Sequence, residues 1–446
     1  MGLRALILLV WGWGIFLGHE FMTSSPTYKS EQWAFEAPDI LGITVNVLVC
    51  LLLAATLESH LRRPSDYLKW SFALFVVLPA CAFAATYARV EPAARITAAG
   101  MVLLGYLVLA WALRLLPQRG RIPSPTKSQR TYAIGVAVVS LCILGLLVIQ
   151  LRSSSSLSLE GVYDRRASLA MSGMLPGTGY VMVWGGYVLG PLLLLLALKR
   201  RSPILLGVGL ALPLAVFALA GVKLAIVLIG FLAVVVVSRW LSLRPGWRNI
   251  PAFPILLLCM NGFLLLLARL GIDDVAFVYI ARRSVLLPGQ ITMHYGQWAS
   301  SRPELGILDP LNSFLGTSGP SVAYEVGELY SRGESVTTNA SSSMFSYAFV
   351  SGGALAVVVT ALIAAALFRF SDILALTRPG VLIVPFTVVT LNLLTESFLH
   401  TAIITGGLGL AMVLAWLIPE ETGPDERDLT AGTETGLVAA ATQRAD

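Results

Sequence analysis

Twelve mostly apolar stretches, each near the length a helix needs to cross a bilayer core, recur along this chain. They lie near residues 3 to 18, 39 to 57, 70 to 88, 96 to 116, 131 to 151, 180 to 198, 203 to 219, 222 to 238, 250 to 270, 344 to 368, 380 to 396 and 402 to 418. Inside lipid the backbone must satisfy its own hydrogen bonds, so apolar runs of this length can only be helices. With 56% hydrophobic and 13% charged residues and a mean hydropathy of +0.78, a soluble globule is excluded. The expected fold is all-α: a polytopic membrane protein of about 12 transmembrane helices. Nine helices and an outer loop at 152–179 would occupy 1–270, a large extracytoplasmic loop of short helices 271–343, three further helices 344–418, and a disordered cytoplasmic tail 419–446.

Charge sets the expected orientation. The net charge is +6 (31 cations against 25 acids), and the stretch from Glu420 to Asp446 carries two cations and seven acids, so the membrane body holds +11. With the N-terminus inside, the inner segments collect Arg4, Arg62, Arg63, Lys69, Arg114, Arg119, Arg121, Lys127, Arg130, Lys199, Arg200, Arg201, Arg239, Arg244, Arg248, Arg369 and Arg378. That bias predicts N- and C-termini in the cytoplasm, and it makes the cationic excess a topology signal rather than a sign of nucleic-acid binding. Met1 to Gly18 resembles a signal peptide, but no small-residue cleavage site follows, so it reads as an uncleaved first span. Cys50, Cys81, Cys142 and Cys259 all sit in apolar runs without metal-ligand spacing, and neither disulfides nor zinc is expected.

The chemistry should lie in the polar outer segments. Within 271–343, Asp273 to Leu287 reads as a helix that places Tyr279, Arg282 and Arg283 on one face, and Pro288-Gly289 reads as its stop. A second short helix is expected over Ile291 to Ala299, and a third from Pro320 to Gly333, where Tyr324, Gly327 and Glu328 share a face.

Arg165-Arg166 and Arg282-Arg283 lie in different outer loops, with Lys223 at a tight outward turn. Guanidinium forks suit phosphate oxygens, so these groups could form one cationic basin. They equally suit contacts to anionic headgroups or pairing with Asp164, Asp273 and Asp274. Asp164, Asp309, Glu325, Glu328 and Glu396 are candidate bases for an attacking hydroxyl, with His294 and His400 as alternatives. Tyr279, Tyr295, Trp298, Tyr324 and Tyr330 offer flat faces for stacking, although aromatic residues also gather at membrane interfaces. Nucleotide-binding and zinc-protease motifs are missing, and no pair of similar halves of the kind that builds many carriers is evident.

The run Arg282-Arg283-Ser284-Val285-Leu286-Leu287-Pro288-Gly289, continuing to Tyr295, is followed by Ala323-Tyr324-Glu325-Val326-Gly327 and then Thr338-Asn339-Ala340 before Ser351-Gly352-Gly353. Together with Tyr163-Asp164-Arg165-Arg166 and Gly221-Val222-Lys223, this order resembles the O-antigen polysaccharide polymerases of the Wzy type over roughly residues 150 to 370. Lys223 stands where that family tends to carry arginine, a point charge in place of a fork.

The resemblance implies a GT-C-like fold and an inverting, metal-independent glycosyltransferase without cofactors in the bacterial cytoplasmic membrane. It would polymerise undecaprenyl-pyrophosphate-linked oligosaccharides at the outer face, among membrane lipids and alongside a chain-length regulator and a flippase. The expected catalytic set is Arg165, Arg166, Arg282, Arg283 and Glu328; the expected substrate contacts are Lys223, Tyr279, Tyr295, Tyr324, Glu325 and Asn339. An O-antigen ligase and a lipid-linked oligosaccharide flippase or secondary transporter are the alternatives.

Overall fold

The computed structural model describes residues 1–25, 33–118, 120–151, 177–247, 249–272, 275–301, 322–331 and 340–421. Among these the chain is all-helical, with one isolated bridge between Phe35 and Tyr87 as its only extended pairing. All twelve apolar stretches fall on helices. Nine described helices are long and apolar enough to cross a membrane: α1 (Gly2–Ser24), then, after α2 (Ile40–Thr56), α3 (Pro64–Thr86), α4 (Pro92–Leu115), α5 (Gln129–Leu151), α6 (Thr178–Arg200), α7 (Pro203–Ala220), α8 (Leu224–Ser242), α9 (Ala252–Arg269) and the long Met344–Thr377. Ile40–Thr56, Gly380–Thr395 and Leu408–Leu417 are apolar but shorter. The protein is thus a membrane-embedded helical bundle.

Hydrogen bonds between segments sort the helix ends into two groups. At one end, Glu421 N–H bonds to Thr377 O, Arg114 to Ala55 O, Arg239 to Arg62 O and Arg378 to Ile122 O and Trp416 O. At the other, Arg269 reaches Glu20 and Leu17 O, Glu36 N–H bonds to Thr86 O at the end of α3, and Ala88 N–H to Ala34 O. We call these the tail end and the insert end. Successive spans alternate between them, as segments threading a bilayer must.

Three prolines within long helices are each preceded by a π turn. Leu78 N–H bonds to Ala73 O before Pro79, Gly190 to Gly185 O before Pro191, and Leu287 to Arg282 O before Pro288. Proline has no N–H and clashes with the carbonyl four residues back. Slipping the bonding to i→i+5 just before it lets the helix continue.

The third case corrects the expectation that Pro288-Gly289 stops a helix. The π-helical stretch Phe277–Leu286 runs directly into α10 (Leu287–Ser300). Gly289 instead lets α10 lie against α3: a Cβ there would come 2.8 Å from Pro79 O, and one at Gly296 would come 2.5 Å from Ala94 O on α4. α10 is therefore sunk into the bundle rather than lying in an open loop.

α11 (Val322–Ser331) falls within the expected Pro320 to Gly333, whose two bounds lie outside the described residues. With α10 and the first turns of α12 (Met344–Thr377) it encloses a second apolar cluster built on Tyr295, Trp298, Val326, Tyr347 and Phe398. α12 breaks at Gly352-Gly353, where Gly353 has φ +60° and ψ −148°, a conformation that favours glycine. Before the break Tyr347 and Val350 join this cluster while Met344, Phe345 and Ala348 pack into the main core, and the remainder runs on as a span.

α13 (Gly380–Leu391), α14 (Leu399–Ile404) and α15 (Leu408–Leu417) complete the fold. The expected tail after Pro419 is anchored at its start, where Glu420 bonds to Arg121 and Ser124 and Glu421 to Lys199; residues beyond 421 lie outside the described ones.

Candidate functional site

The π-helical stretch positions the site. Arg282 and Arg283, adjacent on it, meet different neighbours. Arg282 is half-buried, its guanidinium 5.3 Å from the centre of the Trp33 ring. Its Nε is enclosed and has no hydrogen-bond partner among the described residues. Arg283 is exposed and within electrostatic reach of Glu396, at the end of the short helical turn after α13. Burial raises the Glu396 carboxyl above its ordinary range, and Arg283 pulls it back.

Lys223 follows the α7 cap, where Gly221 takes φ +63° to reverse the chain. Its ammonium sits 3.7 Å from the centre of the Tyr279 ring, a cation–π contact. Lys223 is only 8% exposed, so in this arrangement it braces Tyr279 rather than opening to the surface. Two segments more than fifty residues apart in sequence are thereby joined at the base of the site.

The remaining expected residues separate. Tyr295 is fully buried in the second apolar cluster and its hydroxyl donates to Ala340 O at 3.0 Å. That places it in packing, not on a stacking surface. Glu325 accepts from Trp298 Nε1 at 3.0 Å and so helps hold α11 on α10. Tyr324 and Glu328 are exposed on α11. Arg165, Arg166 and Asn339 lie outside the described residues.

His294, an alternative base by sequence, is buried. The Tyr87 hydroxyl lies 2.9 Å from its Nε2, and Gln290 reaches that hydroxyl at 3.3 Å. Burial lowers the imidazole to about 4, with Gln297 opposing the shift. Near neutral pH it is an uncharged structural partner linking α10 to the end of α3.

Beside this cluster an apolar groove of about 340 Å³ runs between α1 and α9, and Phe277, Ala281, Val285 and Leu286 of the same π-helical stretch line it. Arg269 lies in it and bonds to Glu20 at 2.9 Å. The stretch thus presents an apolar row to the groove and two guanidinium groups elsewhere on its surface. A second cavity of about 430 Å³, on the far flank of α10 near Glu91 and Gly353, contains none of the expected side chains.

Trp33 and the groove escaped sequence reasoning. Trp33 stands in a polar connection whose contact to Arg282 spans about 250 positions; the only signal was an aromatic residue between two spans. The groove exists only between helices that are distant in sequence.

Compared with known proteins, the chain matches no family model, no curated sequence and no solved structure.

Proposed function

We propose that this protein is a glycosyltransferase of the bacterial cytoplasmic membrane that polymerises undecaprenyl-pyrophosphate-linked repeat units at the outer face. One observation carries the reading: a single π-helical stretch offers Arg282 and Arg283 beside an apolar groove. A lipid diphosphate has the same two-part chemistry, a long hydrocarbon and a compact anion. The hydrocarbon fits the groove between α1 and α9, and the anion meets the guanidinium groups.

In the proposed reaction an acceptor sugar hydroxyl attacks the anomeric carbon of the donor. The bond from that carbon to the pyrophosphate oxygen breaks, inversion results, and the leaving diphosphate takes the electron pair. Preorganised guanidinium groups in a partly dry site stabilise that developing charge better than water does. Arg283 carries this role most directly because it is exposed. Glu396, kept from full acidity by its surroundings, is better placed than Glu328 to take the hydroxyl proton, because it lies within reach of Arg283.

The seventeen cations of the inner set, apart from Arg119 and Arg248, which are not described, belong to segments at the tail end. That supports a cytoplasmic tail end and an outward insert end. Twelve spans and a GT-C-like arrangement belong to the same proposal.

The test is reconstitution of the purified protein with a defined lipid-pyrophosphate oligosaccharide, read as a product ladder on a gel. A ladder is expected, and Arg283→Gln should reduce it on the order of 10²-fold with an unchanged melting temperature. Transfer of single chains to another acceptor would indicate ligation. Counterflow of intact lipid-linked sugar without new linkages would indicate a carrier, and either result would displace the polymerase reading.

A further inference from the structure

The tail end holds a second polar site, remote from the insert. A cavity of about 410 Å³ opens there between α3, α4 and α12, lined by Arg62, Arg63, Lys69, Arg114 and Arg369 with Glu58 and Asp66. Its acids are committed to structure. Asp372, behind the wall, accepts from Ser65 N at 3.0 Å and Ser65 Oγ at 2.7 Å and pairs with Arg369 at 3.0 Å. Asp66 accepts the backbone N–H groups of Arg62 and Arg63, and Glu58 takes Lys69 at 3.2 Å.

Charge does not balance. Five cations face three carboxylates, counting Asp372, and leave +2. The excess rests on exposed arginines: among the described residues Arg62 and Arg63 pair with no carboxylate, and Arg114 bonds to the Ala55 carbonyl rather than to an acid. Arg63 also lies in electrostatic reach of the buried Arg369, so the like charges crowd one another. Arg369, one of the lining residues, is 5% exposed, and its Nε is enclosed with no hydrogen-bond partner among the described residues. Enclosing a guanidinium N–H without an acceptor is costly. An anion in the cavity would offset the excess positive charge and relieve that repulsion.

We propose that this cavity binds a phosphate group, either the headgroup of an anionic lipid or a free phosphate. A doubly charged phosphate matches the excess of +2, and arginine forks match its oxygens. The site is distinct from the insert-end cluster, and the inference holds whatever reaction that cluster performs. Its position on the opposite side from the proposed chemistry makes it a means of sensing or anchoring rather than turnover.

The experiment uses the full chain in nanodiscs of phosphatidylcholine. Inorganic phosphate is titrated by calorimetry, and in parallel phosphatidic acid is added to the discs and its retention is read by native mass spectrometry. Saturable binding of at least one probe is expected, and which probe binds identifies the source. Arg63→Gln with Arg114→Gln should weaken it about tenfold, the equivalent of one charge-assisted contact. Arg121→Gln, at the same end but outside the cavity, should bind as the unaltered protein does.

Should the double variant melt early, Arg62→Gln alone should still weaken binding with the melt unchanged. Absence of binding by both probes above the phosphatidylcholine baseline would overturn the proposal. So would an equal loss in Arg121→Gln, because the attraction would then be the general charge of that end.

Discussion

The two ends of the bundle handle buried cations in opposite ways. At the tail end Lys69 and Arg369 are closed in with Glu58, Asp66 and Asp372, and Asp66 and Asp372 also cap the start of α3. At the insert end Lys223 and Arg282 are held against the faces of Tyr279 and Trp33. A carboxylate consumes N–H donors and locks a cation into the fold, whereas an aromatic face fixes the charge without accepting hydrogen bonds along the guanidinium edge. Cations paired with carboxylates serve stability; on Arg282 the ring leaves Nε without a hydrogen-bond partner among the described residues, whereas the enclosed Lys223 braces Tyr279.

The largest expected effect breaks the tail end. Asp372→Ala leaves Arg369 buried without its partner and Ser65 without its acceptor, and should cost about 3 to 5 kcal/mol, read as a large fall in melting temperature in detergent. The double change Arg369→Leu with Asp372→Leu should recover much of that loss, since two apolar side chains carry no uncompensated charge. A double variant as unstable as the single one would mean that the ion pair is not what holds this end together.

The next effect belongs to the insert end and depends on pH. His294 titrates near 4 when folded and near 6.5 when unfolded, so between those values the unfolded chain binds the extra proton. The stability from keeping it neutral is complete above about pH 6.5 and is lost as pH falls towards 4, by roughly 3 kcal/mol in all. His294→Gln should flatten the melting curve in that window relative to the unaltered protein. Parallel pH profiles for the two would refute the assignment.

A smaller effect tests how α10 is seated. Gly296→Ala places a methyl 2.5 Å from Ala94 O and should destabilise by about 1 to 3 kcal/mol. Gly230→Ala, with nothing within 4 Å, should be neutral or slightly stabilising because alanine favours the helix. Equal melting of the two variants would show that α10 is not packed this tightly. Smallest of all is Arg121→Gln, whose exposed side chain pairs with Glu420 at the surface; no measurable change in melting is expected.

Much of the scaffold was legible along the chain. Every apolar stretch became helix because lipid leaves the backbone no other choice, and the turn before Lys223 followed from a glycine able to take a positive φ. Proline misled at Pro288, because the rule that proline ends a helix assumes α bonding and a π turn evades it. Tyr295 misled for another reason: an aromatic residue in a charged insert looks like a site residue whether it faces a hollow or a core. Only the packing of α10 against α3, α4 and α12 separates those cases.

Apolar run length and the uneven spread of arginine and lysine by themselves settled that this is a bundle of membrane helices with two chemically different ends, since burial in lipid and charge at its borders are local costs each segment bears alone. Which cations meet carboxylates and which meet rings was decided only in three dimensions. Lys223 with Tyr279, Arg282 with Trp33 and Ser65 with Asp372 join segments far apart in sequence, and such contacts arise from how helices pack, about which a linear pattern carries no information.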